Sequence, residues 1–418
     1  MTDLRLEIKE IAEKGKKASR ILSQVPTAKK DAILREMAAG LKKQKDFILK
    51  ANRKDLSGLT GARNAFKDRL TLNDLRIKEM ADSLLEISRL KDPLGQVIKG
   101  WIRPNGLWIY KVSVPIGVVA VIYESRPNVT SDAVGLLFKS GNSAILRGGS
   151  ESLNSNRAVF KVLDDVLKRN GLPEGAAQII STADRRAVDI LLKQDSLIDL
   201  VMPRGGEALI KRVQRVSRIP VIKHYKGICH VYVDTGADLN MAERICFNAK
   251  VNRPGVCNAM ECMLVHEMVA ARFLPGMLRR FREAGVEIRG DALTQRIGKG
   301  SVKRATEKDY RTEYLDLILS VKVVKDLREG IAHINDYGTH HSDSIVTEDY
   351  ESMLQFLRQV DSACVYVNAS TRFTDGNQFG MGGEIGISTD KLHARGPMAL
   401  EELTTYKYMI FGNGQIRS

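Results

Sequence analysis

The sequence predicts an α/β protein with two doubly wound α/β lobes and a small additional β element. Continuous apolar runs alternate with helical stretches from 115 to 234, and a second series of the same kind begins near 238. Strands buried on both faces have this pattern, and βαβ repetition makes their sheet parallel. Two β-rich runs around Pro104-Asn105-Gly106 predict a hairpin at 100–114, because Asn-Gly is a strong turn signal.

The elements follow in order along the chain. Residues 1–92 carry apolar side chains at three- and four-residue spacing, which predicts helices, and Pro26-Thr27 opens the second of these. Five apolar runs predict the strands of the first lobe: 116–123, 143–147, 178–181, 197–202 and 230–234. In the second lobe, Val269–Ala284 is predicted helical and 363–367 is predicted to be a strand.

Length and composition indicate a globular protein of more than one lobe. The chain has 418 residues, of which 43% are hydrophobic and 28% charged. No apolar run approaches the ~18 residues that a spanning helix needs. The first residues carry charges throughout and have no apolar core of a signal peptide, so we expect a cytoplasmic protein and no membrane partner.

The charge and the metal-binding residue types exclude other classes. The formal net charge is +15, but acidic residues are mixed with the basic ones and aromatics are not interleaved, so a nucleic-acid partner is not expected. Five cysteines form no CxxC pair and seven histidines form no HExxH motif. We therefore expect neither a disulfide framework nor a metal site.

The segment at 252–258, NRPGVCN, is the most informative in the chain. Pro and Gly make a rigid loop that can hold the thiol of Cys257 and aim backbone N–H groups at a developing oxyanion. The neighbouring Arg253 would favour the reactive thiolate. The other cysteines lie in apolar patterns and are expected to be inert core residues: Cys229, Cys246, Cys262 and Cys364.

Two glycine-bearing turns are candidates for binding a nucleotide. Arg147 ends a predicted strand and precedes Gly148-Gly149-Ser150, a setting that suits a phosphate on a nucleotide ribose. Pro203-Arg204-Gly205-Gly206 joins another strand to a helix, whose free N–H groups attract anions. The simpler interpretations are that Arg147 is a surface arginine and that the turn at Pro203-Arg204-Gly205-Gly206 binds no ligand.

Together these residues resemble the aldehyde dehydrogenase superfamily over nearly the whole chain. Five stretches carry the resemblance: 114–133, 139–152, 201–206, 252–262 and 391–408. The resemblance implies three parts. They are an NADP-binding domain at 1–99 and 115–234 with a returning segment at about 362–397, a catalytic domain at 235–361, and an oligomerisation hairpin and strand at 100–114 and 398–418.

The resemblance also implies roles for individual residues. Cys257 falls on the catalytic cysteine, Glu313 on the glutamate that holds the nicotinamide ribose, and Phe379 in the segment that lines the nicotinamide pocket. NADP(H) is the implied cofactor, and the residues expected to bind it are Arg147, Gly148, Gly149, Ser150, Pro203, Gly205, Gly206, Glu313 and Phe379. Substrate phosphate or carboxylate is expected at Arg126, Arg253, Asn258 and Arg395, although each arginine could instead form a structural ion pair.

Two departures from the superfamily pattern concern the chemistry. Where relatives carry Glu-Leu-Gly-Gly, this chain reads His224-Tyr225-Lys226-Gly227, so the carboxylate that activates water for thioester hydrolysis is missing. His224 could replace it, but a loop histidine with a backbone partner is the simpler interpretation. In the oxyanion loop, ungapped counting places Glu124 opposite the superfamily asparagine, and Asn128 is the chemically sensible donor.

The resemblance implies NADPH-dependent reduction of L-glutamyl 5-phosphate to L-glutamate 5-semialdehyde and phosphate through a Cys257 thioester, a step of proline biosynthesis from glutamate. It also implies a homo-oligomer and a functional pairing with a glutamate 5-kinase. One alternative is another acyl-phosphate or acyl-CoA reductase of the superfamily. A non-enzymatic nucleic-acid-binding protein is the other, and the mixed charges argue against it.

Overall fold

The computed structural model describes residues 2–59, 64–223 and 226–417. Within them the α-helices are, in chain order, α1 Thr2–Leu22, α2 Thr27–Lys43, α3 Lys45–Ser57, α4 Asn64–Leu70, α5 Asp74–Arg89, α6 Asn128–Lys139, α7 Leu153–Arg169, α8 Arg186–Leu191, α9 Glu207–Val216, α10 Leu239–Val251, α11 Glu267–Glu283, α12 Ala292–Gly298, α13 Glu307–Tyr310, α14 Leu327–Tyr337 and α15 Tyr350–Gln359. The predicted helix opening at Pro26-Thr27 is confirmed, with Pro26 as the N-cap of α2.

The β-strands of the same residues are β1 Val97–Ile102, β2 Trp108–Pro115, β3 Val118–Tyr123, β4 Ser143–Arg147, β5 Ala177–Ile179, β6 Leu200–Arg204, β7 Cys229–Val233, β8 Met260–His266, β9 Glu287–Gly290, β10 Lys303–Arg304, β11 Ile318–Val324, β12 Ser342–Val346, β13 Cys364–Val367, β14 Gly386–Ser388, β15 Gly396–Met398 and β16 Thr404–Phe411. The chain forms two compact units.

The first unit comprises Met1–Lys223, Gly380–Gly386 and Met398–Ser418. Its main sheet has the strand order β5-β4-β3-β6, and every pairing is parallel, as predicted. Every residue of β3 and β4 is buried, which explains why these strands are continuous apolar runs. One core cluster packs Ile8 of α1 and Leu191 of α8 against Ile145 of β4.

The predicted hairpin is confirmed in the first unit. Strands β1 and β2 pair antiparallel, and the backbone N–H of Gly106 donates to the carbonyl of Arg103 at 2.8 Å in the turn between them. Gly106 has a φ of 86°, a left-handed conformation that favours glycine. Strand β16 adds antiparallel to β2 over eight residue pairs, from Thr404–Pro115 to Phe411–Trp108, and completes a three-stranded sheet.

The second unit comprises His224–Phe379 and Ile387–Pro397. Its seven-stranded sheet has the order β10-β9-β11-β8-β7-β12-β13, and all its pairings are parallel. Helix α10 leads into this sheet. It begins where the Asp238 carboxylate accepts from the N–H groups of Asn240 and Met241, and its C-cap is Asn252, the first residue of the loop that carries Cys257.

The division of the chain differs from the expected one at two places. The strand predicted at 230–234 for the first lobe is β7, which pairs with β8 and β12 in the second sheet. The expected returning segment at 362–397 contains β13, which pairs with β12 in the same sheet, and only Gly380–Gly386 joins the first unit. An apolar run reveals that a strand is buried but carries no information about which sheet it enters.

In the described part of the chain, none of the helices has the length and apolarity required for a membrane-spanning segment.

Candidate active site

Cys257 lies in the loop between α10 and β8, as predicted, and it is the one cysteine of the five that is not buried. Two backbone contacts fix its position. The Cys229 thiol donates to the carbonyl oxygen of Cys257 at 3.2 Å. The chain at Gly227 passes so close that a Cβ atom there would lie 1.8 Å from the same oxygen. Only glycine fits at 227 without displacing the loop.

The buried cysteines are poor candidates for a thiolate. Burial raises the pKa of the thiols of Cys229, Cys246 and Cys262, because the charged form loses its hydration. Cys229 also lies near Asp343, whose negative charge raises its pKa further. These observations agree with the expectation that Cys257 is the cysteine available for chemistry.

A buried ion pair joins the two ends of the Cys257 loop. Lys250 in the last turn of α10 donates to Glu261 in β8 at 2.7 Å, and both side chains are buried. Glu261 also accepts from the N–H of Leu315 at 3.1 Å. Burial raises the pKa of Glu261, and the value is about 7 although Lys250 acts to lower it. The sequence did not lead us to predict this pair. A signal was present, since charged residues such as Lys250 and Glu261 rarely occur in buried segments without a partner.

Asn258 holds the loop to another segment, and this differs from the substrate-binding role expected for it. Its side-chain amide donates to the backbone carbonyls of Arg372 and Thr374 at 3.3 and 2.8 Å. Its backbone oxygen accepts from the Thr371 hydroxyl at 2.7 Å, and its Oδ1 accepts from Arg372. The amide is buried and its hydrogen-bonding groups are occupied, so it is a positioning residue.

The predicted substrate arginines fall in different environments. Arg395 donates to the Asp361 carboxylate at 2.8 Å and to its backbone oxygen at 2.9 Å, which is the structural ion pair that was the alternative. With Lys391, it lowers the pKa of Asp361 to about 2. Arg253 is exposed in the Cys257 loop, and Arg126 is exposed just before α6. Arg253 therefore stays a candidate for binding substrate beside the nucleophile, whereas Arg395 is already engaged in an ion pair and is no longer a candidate.

Glu313 and Phe379 belong to the same unit as Cys257. The Glu313 carboxylate accepts from the backbone N–H of Gly227 at 2.8 Å and so supports the chain that packs on Cys257. Phe379 is an exposed aromatic, with 39% of its surface accessible. His224, considered as a replacement base, lies outside the described residues together with Tyr225.

Arg147 lies at the carboxyl end of β4, as predicted, and is buried. Its guanidinium donates to the carbonyls of Gly148 and Ala183 at 2.9 and 3.3 Å, while its Nε has no partner among the described residues. Burial lowers its pKa, the nearby Glu151 opposes that effect, and Arg185 adds to it. Sequence inspection missed Arg185, a second cation at the same end of the sheet.

The turn at Gly205-Gly206 precedes α9, as expected for an anion-binding helix start. Both glycines are exposed, and the N–H of Gly206 donates to the Glu124 carboxylate at 2.8 Å. Sequence comparison had placed Glu124 in the oxyanion loop, but the structure places its carboxylate on this turn. An anionic group already satisfies the N–H that a phosphate would use.

The remaining nucleotide-turn residues lie in the same unit. Pro203 is buried in β6, whereas Ser150 is exposed in the turn before α7. A Cβ at Gly148 would lie 2.0 Å from the Asn156 amide, and one at Gly149 would lie 2.3 Å from the Glu151 carboxylate. Close packing against the buried Asn156 therefore favours glycine at 148, whereas the atoms near Gly149 belong to the flexible end of the Glu151 side chain.

Asn128 is the first residue of α6 and is exposed. Its amide donates to the Asp132 carboxylate at 3.2 Å, and the Ser83 hydroxyl donates to the other oxygen of that carboxylate at 3.0 Å. Burial raises the pKa of Asp132 to about 6. Asn128 belongs to the first unit and Cys257 to the second, and the oxyanion role of Asn128 stays a prediction.

One group of described side chains could hold a metal ion, although the sequence predicted none. His230, Cys262 and His333 offer ligand atoms within 4.8 Å of one another, and all three are buried. His230 is engaged by Asp343 at 2.8 Å, and His333 stacks on Tyr337 with ring centroids 4.4 Å apart. Burial lowers the pKa of His333 to about 2, which keeps it neutral. We assign the group to core packing.

The model of the aldehyde dehydrogenase family matches residues 4–317 and 301–409. The chain belongs to the aldehyde dehydrogenase family, and both its α/β fold with parallel sheets and its family membership identify it as an oxidoreductase.

Within the family, the chain is similar to proteins named gamma-glutamyl phosphate reductase. The one from Thermodesulfovibrio yellowstonii is 54% identical over 99% of this chain and 100% of its own length. The one from Caldanaerobacter subterraneus is 55% identical, again over 99% of this chain and 100% of its own length.

Solved structures give the same result. The crystal structure of gamma-glutamyl phosphate reductase from Thermotoga maritima has a TM-score of 0.96 and 46% identity, and covers 99% of this chain and 100% of that chain. An acetylating aldehyde dehydrogenase from Geobacillus thermoglucosidasius has a TM-score of 0.71 at 16% identity, with 100% of this chain and 99% of that chain covered. This second likeness concerns the fold alone.

Proposed function

We propose that this protein reduces L-glutamyl 5-phosphate to L-glutamate 5-semialdehyde and phosphate, using NADPH and a thioester on Cys257. The observation that carries the proposal is the partly exposed loop thiol of Cys257 in a chain that is 54% identical, over 99% of its length, to a gamma-glutamyl phosphate reductase. The reaction is a step of proline biosynthesis from glutamate.

The residues of the second unit support the first half of the reaction. The Cys257 sulfur attacks the acyl carbon, the bond from that carbon to the phosphate oxygen breaks, and phosphate leaves with the electron pair. Covalent catalysis of this kind divides one difficult displacement into two easier ones. Gly227 and Cys229 hold the backbone carbonyl of Cys257, and we expect this fixed backbone to orient N–H groups of the loop toward the developing oxyanion.

The residues of the first unit fit NADP(H). The buried Arg147, with Arg185 near it, supplies the positive charge that a ribose phosphate needs, and Gly206 already binds an anionic carboxylate at the start of α9. The nicotinamide cofactor supplies the hydride that reduces the thioester. We expect Glu313 and Phe379 to contact its nicotinamide end and Ser150 and Pro203 its adenosine end.

The experiment is the reverse reaction, oxidation of glutamate 5-semialdehyde followed at the NADPH absorbance band. Wild type is expected to require phosphate and to prefer NADP over NAD. Cys257→Ser is expected to lose at least about a thousandfold in rate, since the hydroxyl is a far weaker nucleophile. Cys246→Ser, a buried cysteine in the same unit, is the control, and a Cys257 variant as active as this control would refute the covalent mechanism.

A second reductase activity is distinguished by the same assay. An acyl-CoA reductase of the same family would oxidise the aldehyde with CoA and without phosphate. The missing carboxylate at the Glu-Leu-Gly-Gly position favours an acceptor other than water but does not choose between CoA and phosphate. The identity to the named relatives favours phosphate.

We further propose that the protein is a homo-oligomer that assembles through the three-stranded sheet. Large apolar side chains are exposed on this sheet: Val97, Ile98, Ile102, Trp108, Tyr406, Tyr408, Met409, Ile410 and Phe411. An exposed cluster of this size is typical of an interaction surface. None of the five cysteines forms a disulfide, which fits a reducing, cytoplasmic location. The acyl phosphate must be made by a kinase acting on glutamate, so pairing with a glutamate 5-kinase belongs to this proposal.

A further inference from the structure

Arg372 contacts both ends of the Cys257 loop from a separate segment, the turn Thr371–Phe373. Its guanidinium donates to the Oδ1 atoms of Asn258 and Asn252, the latter at 3.4 Å. Asn258 donates in return to the backbone carbonyl of Arg372 at 3.3 Å. These reciprocal bonds hold the guanidinium in one place beside the nucleophile's loop.

The charge of Arg372 has no close counter-ion. Both acceptors of its guanidinium are neutral amide oxygens, and no carboxylate of the described residues lies within ion-pair distance of it. Arg395, in contrast, is neutralised by Asp361. Burial and the neighbouring Arg253 lower the pKa of Arg372, while Asp375 and Cys257 oppose the effect. A guanidinium stays protonated under these conditions, so Arg372 presents a net positive charge near Cys257.

We propose that Arg372 binds the phosphoryl group of the acyl-phosphate substrate as Cys257 attacks. This inference rests on the proposed function. When the carbon–sulfur bond forms and the carbon–oxygen bond to phosphate breaks, the electron pair leaves with the phosphate, and no redox change occurs in this step. A guanidinium matches phosphate oxygens in a bidentate manner and stabilises the charge that accumulates there. Nη2 of Arg372 takes no part in either asparagine bond.

The partly buried position of Arg372 distinguishes it from Arg253. Arg253 is exposed in the same loop, where water and salt screen its charge. Arg372 is half-buried, so its attraction for a phosphate is screened less. The two arginines therefore form a matched pair for mutation: the same charge, the same nucleophile and different exposure.

The test measures phosphate binding in two ways on the full-length protein. One readout is the phosphate concentration that half-protects Cys257 from iodoacetamide without cofactor, followed by mass spectrometry, with buried Cys262 as the internal control. The other is the KM for phosphate in the oxidation of glutamate 5-semialdehyde. Arg372→Met is expected to raise both phosphate constants by at least about tenfold and the KM of the aldehyde by less than about threefold. Arg358→Met, which removes an exposed arginine of α15 in the same unit, is the control and is expected to change the phosphate constants by less than about twofold. Arg253→Met is expected to raise them less than Arg372→Met does, because the charge of Arg253 is screened.

Two further variants keep the inference falsifiable. Arg372→Lys should restore part of the phosphate affinity. If Arg372→Met does not fold, Arg372→Gln replaces it, because the glutamine amide can still donate to Asn258. The same rise of at least about tenfold in the phosphate constants is then expected. Phosphate constants within about twofold of wild type in the uncharged variant overturn the role of Arg372. Wild-type oxidation of the aldehyde without phosphate would instead overturn the proposed function, and the inference with it.

Discussion

At the residue scale, the candidate nucleophile is defined by what surrounds it rather than by its own chemistry. Cys257 has a glycine against its carbonyl, a cysteine donating to that carbonyl and an arginine bound to the asparagines of its loop. None of these neighbours is a general base. They fix the loop, and a fixed loop is what an oriented nucleophile requires.

Gly227 gives the sharpest test of this positioning. In Gly227→Ala the new methyl group must displace the Cys257 backbone, because the Cβ would lie 1.8 Å from its oxygen and 2.7 Å from its Cα. We expect kcat to fall about a hundredfold, the cost of moving a reacting group by ~1 Å. The measurement is steady-state kinetics together with the melting temperature.

Gly255→Ala is the matched control for that change. It lies in the same loop, but its nearest contact would be the Leu315 carbonyl at 3.8 Å, an ordinary distance. A loss of activity as large as that of Gly227→Ala would show that any alanine in the region is harmful, and would contradict the explanation by close approach.

The position of the Glu124 carboxylate predicts that this residue weakens the binding of the cofactor. Its carboxylate occupies the Gly206 N–H at the start of α9 and would repel a pyrophosphate there. We expect Glu124→Ala to lower the Kd of NADPH by about three- to tenfold, measured by the fluorescence of the bound nucleotide. Glu207→Ala, which removes an acid of the same helix paired with Lys211, is the control. Unchanged or weaker binding in Glu124→Ala would disprove competition at this turn.

At the element scale, the segment Ile387–Pro397 is joined to the rest of its unit by a charged cluster. Lys391 and Arg395 both pair with Asp361, at 2.7 and 2.8 Å. All three side chains are partly or largely exposed, so screening reduces the contribution of each pair. The cluster explains why Arg395 is structural although an arginine in that segment suggests a ligand.

The cluster also predicts a pH dependence of stability. The pKa of Asp361 is lowered to about 2 by Lys391 and Arg395, so its stabilising contribution is present above the ordinary carboxyl pKa of ~4 and is lost as the pH falls toward 2. The difference in unfolding free energy between wild type and Asp361→Asn should therefore be constant from about pH 5 to 7 and shrink below about pH 4. Denaturant unfolding at several pH values measures it, and a difference that grows on acidification would contradict the assignment.

At the scale of the whole molecule, packing within the chain does not explain the exposed apolar side chains of the three-stranded sheet. Its aromatic side chains contact one another, as in the Trp101–Tyr408 and Tyr110–Phe411 pairs, yet much of their surface is accessible. A single chain gains little from exposing such residues, whereas an oligomer buries them.

Ile410→Glu should therefore disrupt assembly. Ile410 is 59% exposed on β16, and a buried charge at an interface without a partner is strongly unfavourable. Light scattering after size-exclusion chromatography is expected to show a smaller particle than wild type. Met268→Glu changes an apolar residue that is 70% exposed at the start of α11 in the second unit, and it should leave the particle size unchanged. A monomeric wild type, or an Ile410→Glu oligomer of wild-type size, would contradict assembly through the sheet.

Much of the fold could be predicted from local pattern. The strands at 116–123 and 143–147, the hairpin turn at Gly106 and the helix at Val269–Ala284 all lie within a few residues of the observed elements. Their periodicity and turn residues are local properties. The assignment of β7 to a sheet was wrong because strand pairing depends on partners distant in the sequence, such as Met263 beside Val231.

The candidate site shows the same division. Cys257 could be found because a loop cysteine differs from one in an apolar strand, and Arg147 because it ends a strand beside glycines. The roles of Arg372, Glu124 and Glu261 could not, since each acts on residues at least 11 positions away along the chain or in another element. Asn258 and Arg395 were expected to bind substrate because sequence shows a donor but not the acceptor that already occupies it.

The sequence by itself therefore determined the α/β class, the parallel sheets, the family and the one cysteine suited to be a nucleophile, since apolar periodicity, turn residues and long motifs are written along the chain. Only the tertiary structure decided which sheet β7 enters, which arginine is held by the asparagines of the Cys257 loop and which anion occupies the turn before α9. Those outcomes depend on distances between residues far apart in sequence, and burial alters the strength of a charge or a hydrogen bond only once these distances are set.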